Sequence, residues 1–189
     1  MPHRFIIASL FTLIGITATA GAIAEDRSRA LDGRWRLDWD RSESFEPALE
    51  AMEVGWFIRR LAGVARVEVG IVGLLRECDT CPERLELTFS SPISDRTDDV
   101  LLDDQPQPGK DPQGNDTIDR YRPTKNGGVE LVRLRTLPSG RSVRLIETRT
   151  PGDATTSMLS TMVVFVDGEE RANIRRVFER IGDQVETGE

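Results

Sequence analysis

From residue 84 to 181 the chain repeats one rhythm, a short run of alternating apolar and polar residues followed by a tight turn. Leu85, Leu87 and Phe89 alternate with Glu86 and Thr88. A short run at 99–103 and runs at 116–122, 129–137, 142–150, 155–166 and 172–181 follow, punctuated by Asn126-Gly127-Gly128, Pro138-Ser139-Gly140, Pro151-Gly152-Asp153 and Asp167-Gly168. Period two marks a strand with one buried face. Turns this frequent leave no room for crossover helices, so the pattern is an antiparallel meander and not alternating βαβ units. A first strand at 33–40 brings the number to eight, and 66–72 offers a ninth. Consecutive antiparallel strands with one apolar face do best by closing on themselves, because closure removes unpaired edges. The expected fold is mainly β: an antiparallel up-and-down β-barrel of about 8–10 strands, wide enough for one small ligand.

What precedes the meander is different. Trp35, Leu37 and Trp39 share one face of the first strand, with Arg34, Arg36 and Asp38 on the other. Residues 40–44 offer helix N-caps. Phe45, Leu49, Met52, Phe57, Leu61 and Val64 then recur at helical spacing with one slip at Gly55, which predicts two short helices at 45–54 and 56–65. These helices either pack as core against the barrel or cover its open end as a lid. Trp56 and Phe57 face the cavity in the second reading. The stretch 66–77 is ambiguous, since Val67, Val69 and Ile71 alternate but Gly70 and Gly73 interrupt. The segment 104–115 is rich in proline, glycine and polar residues and reads as a loop. Nothing suggests a repeat or a second domain, so the domain is placed at 31–181, with a polar leader at 25–30 and a loose tail at 182–189.

Residues 1–24 read as a secretory signal peptide. His3 and Arg4 precede an uncharged apolar run, and Ala22-Ile23-Ala24 is a small-x-small cleavage site. An uncleaved anchor is the alternative reading. Cleavage after Ala24 makes the protein periplasmic or secreted and removes its one histidine. The remainder carries 24 basic against 32 acidic residues, a net charge of about −8. Such a chain is a poor non-specific binder of nucleic acid. No later segment is apolar enough to span a bilayer.

Without histidine, Ser-His and Cys-His catalysis and most catalytic zinc sites are excluded. No phosphate loop or dinucleotide fingerprint is present, and no cofactor or metal is expected. Cys78 and Cys81 have redox-motif spacing, but they sit in a turn before Pro82 and not at a helix N-terminus after a βαβ strand. Zinc would need two further ligands. In an exported chain the pair reads as a disulfide.

Arginines recur in the strands: Arg120, Arg122, Arg133, Arg135, Arg144, Arg149, Arg175 and Arg176. Arg133 and Arg135 share a face. Inward arginines make an anion site, since a guanidinium forks onto a carboxylate or phosphate. Outward ones form a solvated face paired with Asp119, Glu130 and Glu147. Tyr121 reads as a strand-packing residue.

The opening Gly33-Arg34-Trp35 resembles the Gly-x-Trp that begins the barrel of calycins, the group of lipocalins and fatty-acid-binding proteins. Ser44-Phe45, the helical segment after it and the basic pair Arg59-Arg60 are similar to the fatty-acid-binding branch. Arg175-Arg176-Val177-Phe178 resembles the closing Arg-x-Tyr strand of that branch. The resemblance implies a lipocalin-like domain in which Arg176 binds a ligand carboxylate. Phe178 stands where the family has tyrosine, so one hydroxyl donor is missing. It also implies structural roles for Gly33 and Trp35, with Arg176 packed across Trp35 as the structural alternative to ligand binding.

Together these readings give an exported, non-enzymatic barrel that binds a small apolar or amphipathic ligand, with Arg176, Phe178, Trp56, Phe57 and Arg144 as candidate contacts. Two alternatives stand beside it. One is an envelope interaction module using 66–82 and 104–115 as contact surface, with envelope proteins as partners. The other is a thiol–disulfide enzyme using Cys78 and Cys81.

Overall fold

The computed structural model describes residues 29–74, 81–92, 94–111, 113–152 and 156–182. Residues 1–28, with the expected signal peptide and most of the polar leader, and the tail beyond 182 lie outside these residues, as does Cys78.

Ten antiparallel strands make one nearly closed barrel among the described residues: β1 Gly33–Asp38, β2 Glu68–Leu74, β3 Arg84–Ser91, β4 Ser94–Leu101, β5 Gln107–Lys110, β6 Asp116–Pro123, β7 Val129–Thr136, β8 Ser142–Pro151, β9 Ser157–Val166 and β10 Glu169–Ile181. Neighbours in sequence are neighbours in space, except that β1 lies between β2 and β10, while β4 and β5 form the open seam. Two short helices, α1 Glu46–Ala51 and α2 Trp56–Ala62, stand between β1 and β2 with Gly55 at the junction.

The ambiguous stretch after the helices is β2. Gly70 fits there because Thr88 of β3 lies directly opposite it, and Gly73 N–H donates to Asp32 Oδ1 at 2.9 Å. The expected loop at 104–115 contains β5, which the proline and glycine content had concealed. Pro108 is tolerated because β5 is an edge strand, paired only with β6. β4 starts at Ser94, ahead of the apolar residues at 99–103, because its first six residues are polar on both faces. No apolar alternation marks such a strand.

The open seam is closed by side chains. Gln107 Nε2 donates to Leu101 O at 2.7 Å, and Leu101 N–H donates to Gln107 Oε1 at 3.1 Å. One amide side chain thus reproduces a pair of ladder bonds. Arg96 adds a hydrogen bond to Lys110 O.

Trp35 is fully buried, and its indole N–H donates to Leu31 O at 2.8 Å. It packs with Leu37, Val69, Ile71 and Phe178 in one apolar cluster. The cation over its ring is Arg180, 4.3 Å from the centroid, and not Arg176. The register explains the difference, since β10 places Arg180 opposite Trp35 and Arg176 four residues further into the barrel. Gly33 has φ of +136°, and a Cβ there would collide with the Arg180 guanidinium.

The second cluster seats α1. Ala48 is fully buried against Met162, Val164 and Ile174 of β9 and β10, with Phe45 beside them. One backbone bond and one side-chain bond tie the approach to α1 onto β10: Glu43 N–H donates to Arg175 O at 3.0 Å, and Arg175 N–H to Glu43 Oε2 at 2.7 Å. α2 has no buried residue.

Candidate functional site

The inward faces of the strands enclose a cavity of about 220 Å³. A water occupies about 10–15 Å³ by the same measure, so the lumen is open and not packed solid. Its walls are mainly apolar: Leu37, Phe45, Ile71, Leu131, Leu145 and Phe178 lie on different sides of it. Among the helical residues Leu49, Met52, Ile58 and Ala62 close one end.

Into this apolar space the strands project charge. Arg96, Arg133, Arg135, Arg149 and Arg176 line it. Four carboxylates answer these five arginines among the described residues. Arg96 Nε donates to Asp98 at 2.7 Å. Arg133 forks onto buried Asp119 at 2.9 and 2.6 Å. Arg135 pairs with buried Asp111. Arg149 forks onto Glu147, both bonds at 3.1 Å.

Arg176 is left to share. Its Nη2 reaches Glu147 Oε1 at 3.5 Å, but that oxygen already accepts from Arg149 and from Ser160 Oγ at 2.8 Å. Arg176 Nε is buried with no hydrogen-bond partner. Its guanidinium lies over Phe45 at 4.7 Å and Phe178 at 5.5 Å from the ring centroids. Aromatic faces attract a cation but accept no conventional hydrogen bond. A buried donor without an acceptor is costly. Arg135 Nε is likewise buried without a partner, but Arg135 has Asp111 to itself; Arg176 has no carboxylate of its own and is the point in the lumen where an anion gains most.

The electrostatics agree. Burial lowers the Arg176 pKa, and Arg149 pushes the same way against the opposing pull of Glu147. Burial alone would raise the Glu147 carboxyl, yet the charges of Arg149 and Arg176, with hydrogen bonds from Arg149 and Ser160, hold it at about 2. Burial and then the neighbouring Asp119 charge push the Tyr121 hydroxyl to about 12. Glu147 is therefore an anion and Tyr121 a neutral donor at neutral pH.

The structure divides the residues singled out in the sequence. Arg176 and Phe178 both line the cavity, as do Arg133, Arg135 and Arg149. Arg144 does not. It lies on the outer wall over the Phe165 ring at 4.5 Å, because β8 alternates and Glu147 takes the inward face. Arg120, Arg122 and Arg175 are also exposed. Trp56 and Phe57 are 61% and 65% exposed and turn away from the cavity, since α2 presents Ile58 and Ala62 to it instead. Asp119 and Glu147, read as outer partners, are buried.

The sequence reading passed over Arg96, Asp98 and Asp111. Period two carried a usable signal for Asp119, which sits between Thr117 and Tyr121 on the inward face of β6. It carried none for Asp111, which is placed by a turn: its Oδ1 accepts from the N–H groups of Gln113 and Asn115 at 2.8 and 2.9 Å. Among the described residues no group of three or more carboxylate, thiol or imidazole side chains could hold a metal ion.

No protein-family model matches the chain, and no curated protein matches it by sequence. Solved structures do match. A REP1-NXSQ fatty acid transporter is similar at TM-score 0.59 and 18% identity, over 80% of this chain and 96% of that one. Fatty-acid-binding protein 1 of Echinococcus granulosus is similar at TM-score 0.60 and 13% identity, over 82% of this chain and 99% of that one. The zebrafish ileal bile acid-binding protein is similar at TM-score 0.56 and 12% identity, over 80% of this chain and 99% of that one. At these identities the likeness is one of architecture. The chain shares the fold of these proteins, an antiparallel barrel with two helices between the first and second strands.

Proposed function

We propose that the barrel binds one small amphipathic molecule, its apolar body in the lumen and a single anionic group on Arg176. The observation that carries this reading is the charge balance of the lumen, five arginines against four carboxylates, with Arg176 the one left without a carboxylate of its own. One bound anion completes the set. The similar structures are named for fatty acids and a bile acid, ligands of this chemistry. Phe178 supplies a ring and no hydroxyl, so the head group rests on the guanidinium and not on an Arg–Tyr pair.

Titration calorimetry with a fatty acid and its methyl ester tests this. The acid is expected to bind more tightly, since a charged hydrogen bond contributes about 1.5–3 kcal/mol. Equal affinities would refute the anion site.

The protein is proposed to act after export, with residues 1–24 removed and Cys78 joined to Cys81. The apolar leader and the Ala22-Ile23-Ala24 site support export, and an oxidising compartment favours the disulfide. The intact mass of protein from the exporting host checks both: loss of the leader, and two hydrogens fewer than the reduced chain.

A further inference from the structure

The water-facing side of an antiparallel sheet is normally polar. On one stretch of this barrel it is not. Ile146 of β8 and Val163 and Phe165 of β9 lie on the outward side, while Leu145, Met162, Val164 and Val166 take the inward one. Leu134 of β7 and Ile118 of β6 continue the outward face and are 38% and 52% exposed. Apolar groups that adjoin over several strands at the surface mark a place that meets something else.

Charge indicates what it meets. The register sets Arg144 opposite Phe165 and Phe165 opposite Glu170, so one row runs cation, ring, anion across β8, β9 and β10. The Arg144 guanidinium lies over the ring, 4.5 Å from its centroid. Nearby charges are paired within the chain, Arg141 with Asp167 and Arg171 with Glu169. Arg144 and Glu170 have no ion-pair partner among the described residues. Neighbouring strands are about 4.8 Å apart, so the two residues flank Phe165 at matching distances. The row is its own complement: turned over about a line along β9, Arg144 falls on Glu170 and Phe165 on itself.

We propose that two copies of the chain pair through this face, about a two-fold axis that runs along β9. In such an interface two residues exchange roles across the axis. Arg144 of each copy meets Glu170 of the other, which makes two ion pairs where the single chain has none. Phe165 meets Phe165 and Val163 meets Val163 on the axis. The two sheets stack in the aligned manner, about 10 Å apart. The chain as a whole opposes self-association, with a net charge of −7. This face does not, since beside Arg144 and Glu170 it presents Thr148, Thr161, Asn173 and Arg175. The inference is independent of what occupies the lumen.

Sedimentation equilibrium of the whole protein over a range of concentrations tests it. The wild type is expected to form a dimer. Arg144→Glu and Glu170→Arg each set like charges against one another at both contacts and should weaken the dimer by about tenfold or more. An equimolar mixture of the two variants restores an Arg–Glu contact at both places and should sediment as a heterodimer. One chain carrying both substitutions should dimerise as the wild type does. Lys125→Glu, in the turn between β6 and β7, changes the net charge as Arg144→Glu does and should leave the dimer intact. All three positions are exposed, so folding is expected to survive.

A wild type that stays monomeric over the whole range overturns the proposal. A dimer that survives both charge reversals, or a mixture that does not recombine, also overturns it and places any contact on another face. Weakening by Lys125→Glu as strong as that by Arg144→Glu would mean that association follows net charge and not this row, and would overturn it as well.

Discussion

The Arg180 guanidinium lies 4.3 Å from the centre of the Trp35 ring, and its Nη1 donates to Asp32 O at 2.6 Å. This contact joins the last strand to the start of the first, where the barrel closes on itself. Arg180→Met keeps the aliphatic stem over the indole and removes the charge and the hydrogen bond. It is expected to cost about 1–2 kcal/mol, read from urea denaturation. Trp35→Ala should cost about 3–5 kcal/mol by opening a cavity in the core. A neutral Arg180→Met would show that closure rests on the indole alone.

Glu147 makes stability depend on pH. Its folded-state pKa of about 2 lies below the ordinary 4.5. The unfolded chain therefore binds a proton first as pH falls. Its contribution, about 3 kcal/mol by the size of the shift, is fully present above about pH 5 and is lost between there and pH 2. Glu147→Gln should flatten that part of the stability–pH curve. It should also lower stability at neutral pH, because Arg149 and Arg176 then lose their counter-charge.

The lid is fastened from inside. Arg135 pairs with Asp111 and donates from Nη2 to Met52 O at 2.8 Å, at the end of α1. Ser139 Oγ adds a bond to Glu53 at 2.6 Å. Arg135→Met should speed amide exchange in residues 46–52 by about tenfold or more, the worth of a charged hydrogen bond, while exchange in β8 and β9 stays slow. Uniform acceleration would mean that Arg135 supports the whole barrel and not the lid.

The barrel was legible because its strands alternate. Wherever one face is apolar, as in β3, β6, β8, β9 and β10, period two showed the strand, but not always its inward side, since Arg144 of β8 faces outward and Asp119 and Glu147 inward. β5 and the start of β4 escaped for the same reason, since a polar edge at an open seam has no apolar face to show. The helices were legible from spacing, but their orientation was not: with apolar residues on more than one side of α2, the pattern does not say that Ile58 faces inward and Trp56 outward. The site was half visible. Arg176 followed from its place in the closing strand. The carboxylates that neutralise its neighbours were hidden because a buried Asp119 or Glu147 looks, in sequence, like any surface acid on a strand rich in arginine. Glu147 and Arg149 are two residues apart on one face of β8, and the register that sets Ser160 opposite Arg149 brings its hydroxyl to Glu147.

The central claim is that Arg176 carries the unpaired charge of the lumen. Calorimetric titration of a fatty acid and its methyl ester into wild type and Arg176→Met tests it most directly. Wild type is expected to prefer the acid by about tenfold or more, and Arg176→Met to lose that preference while still binding the ester. A variant that keeps the wild-type preference for the acid would contradict the account and place the anion on another arginine.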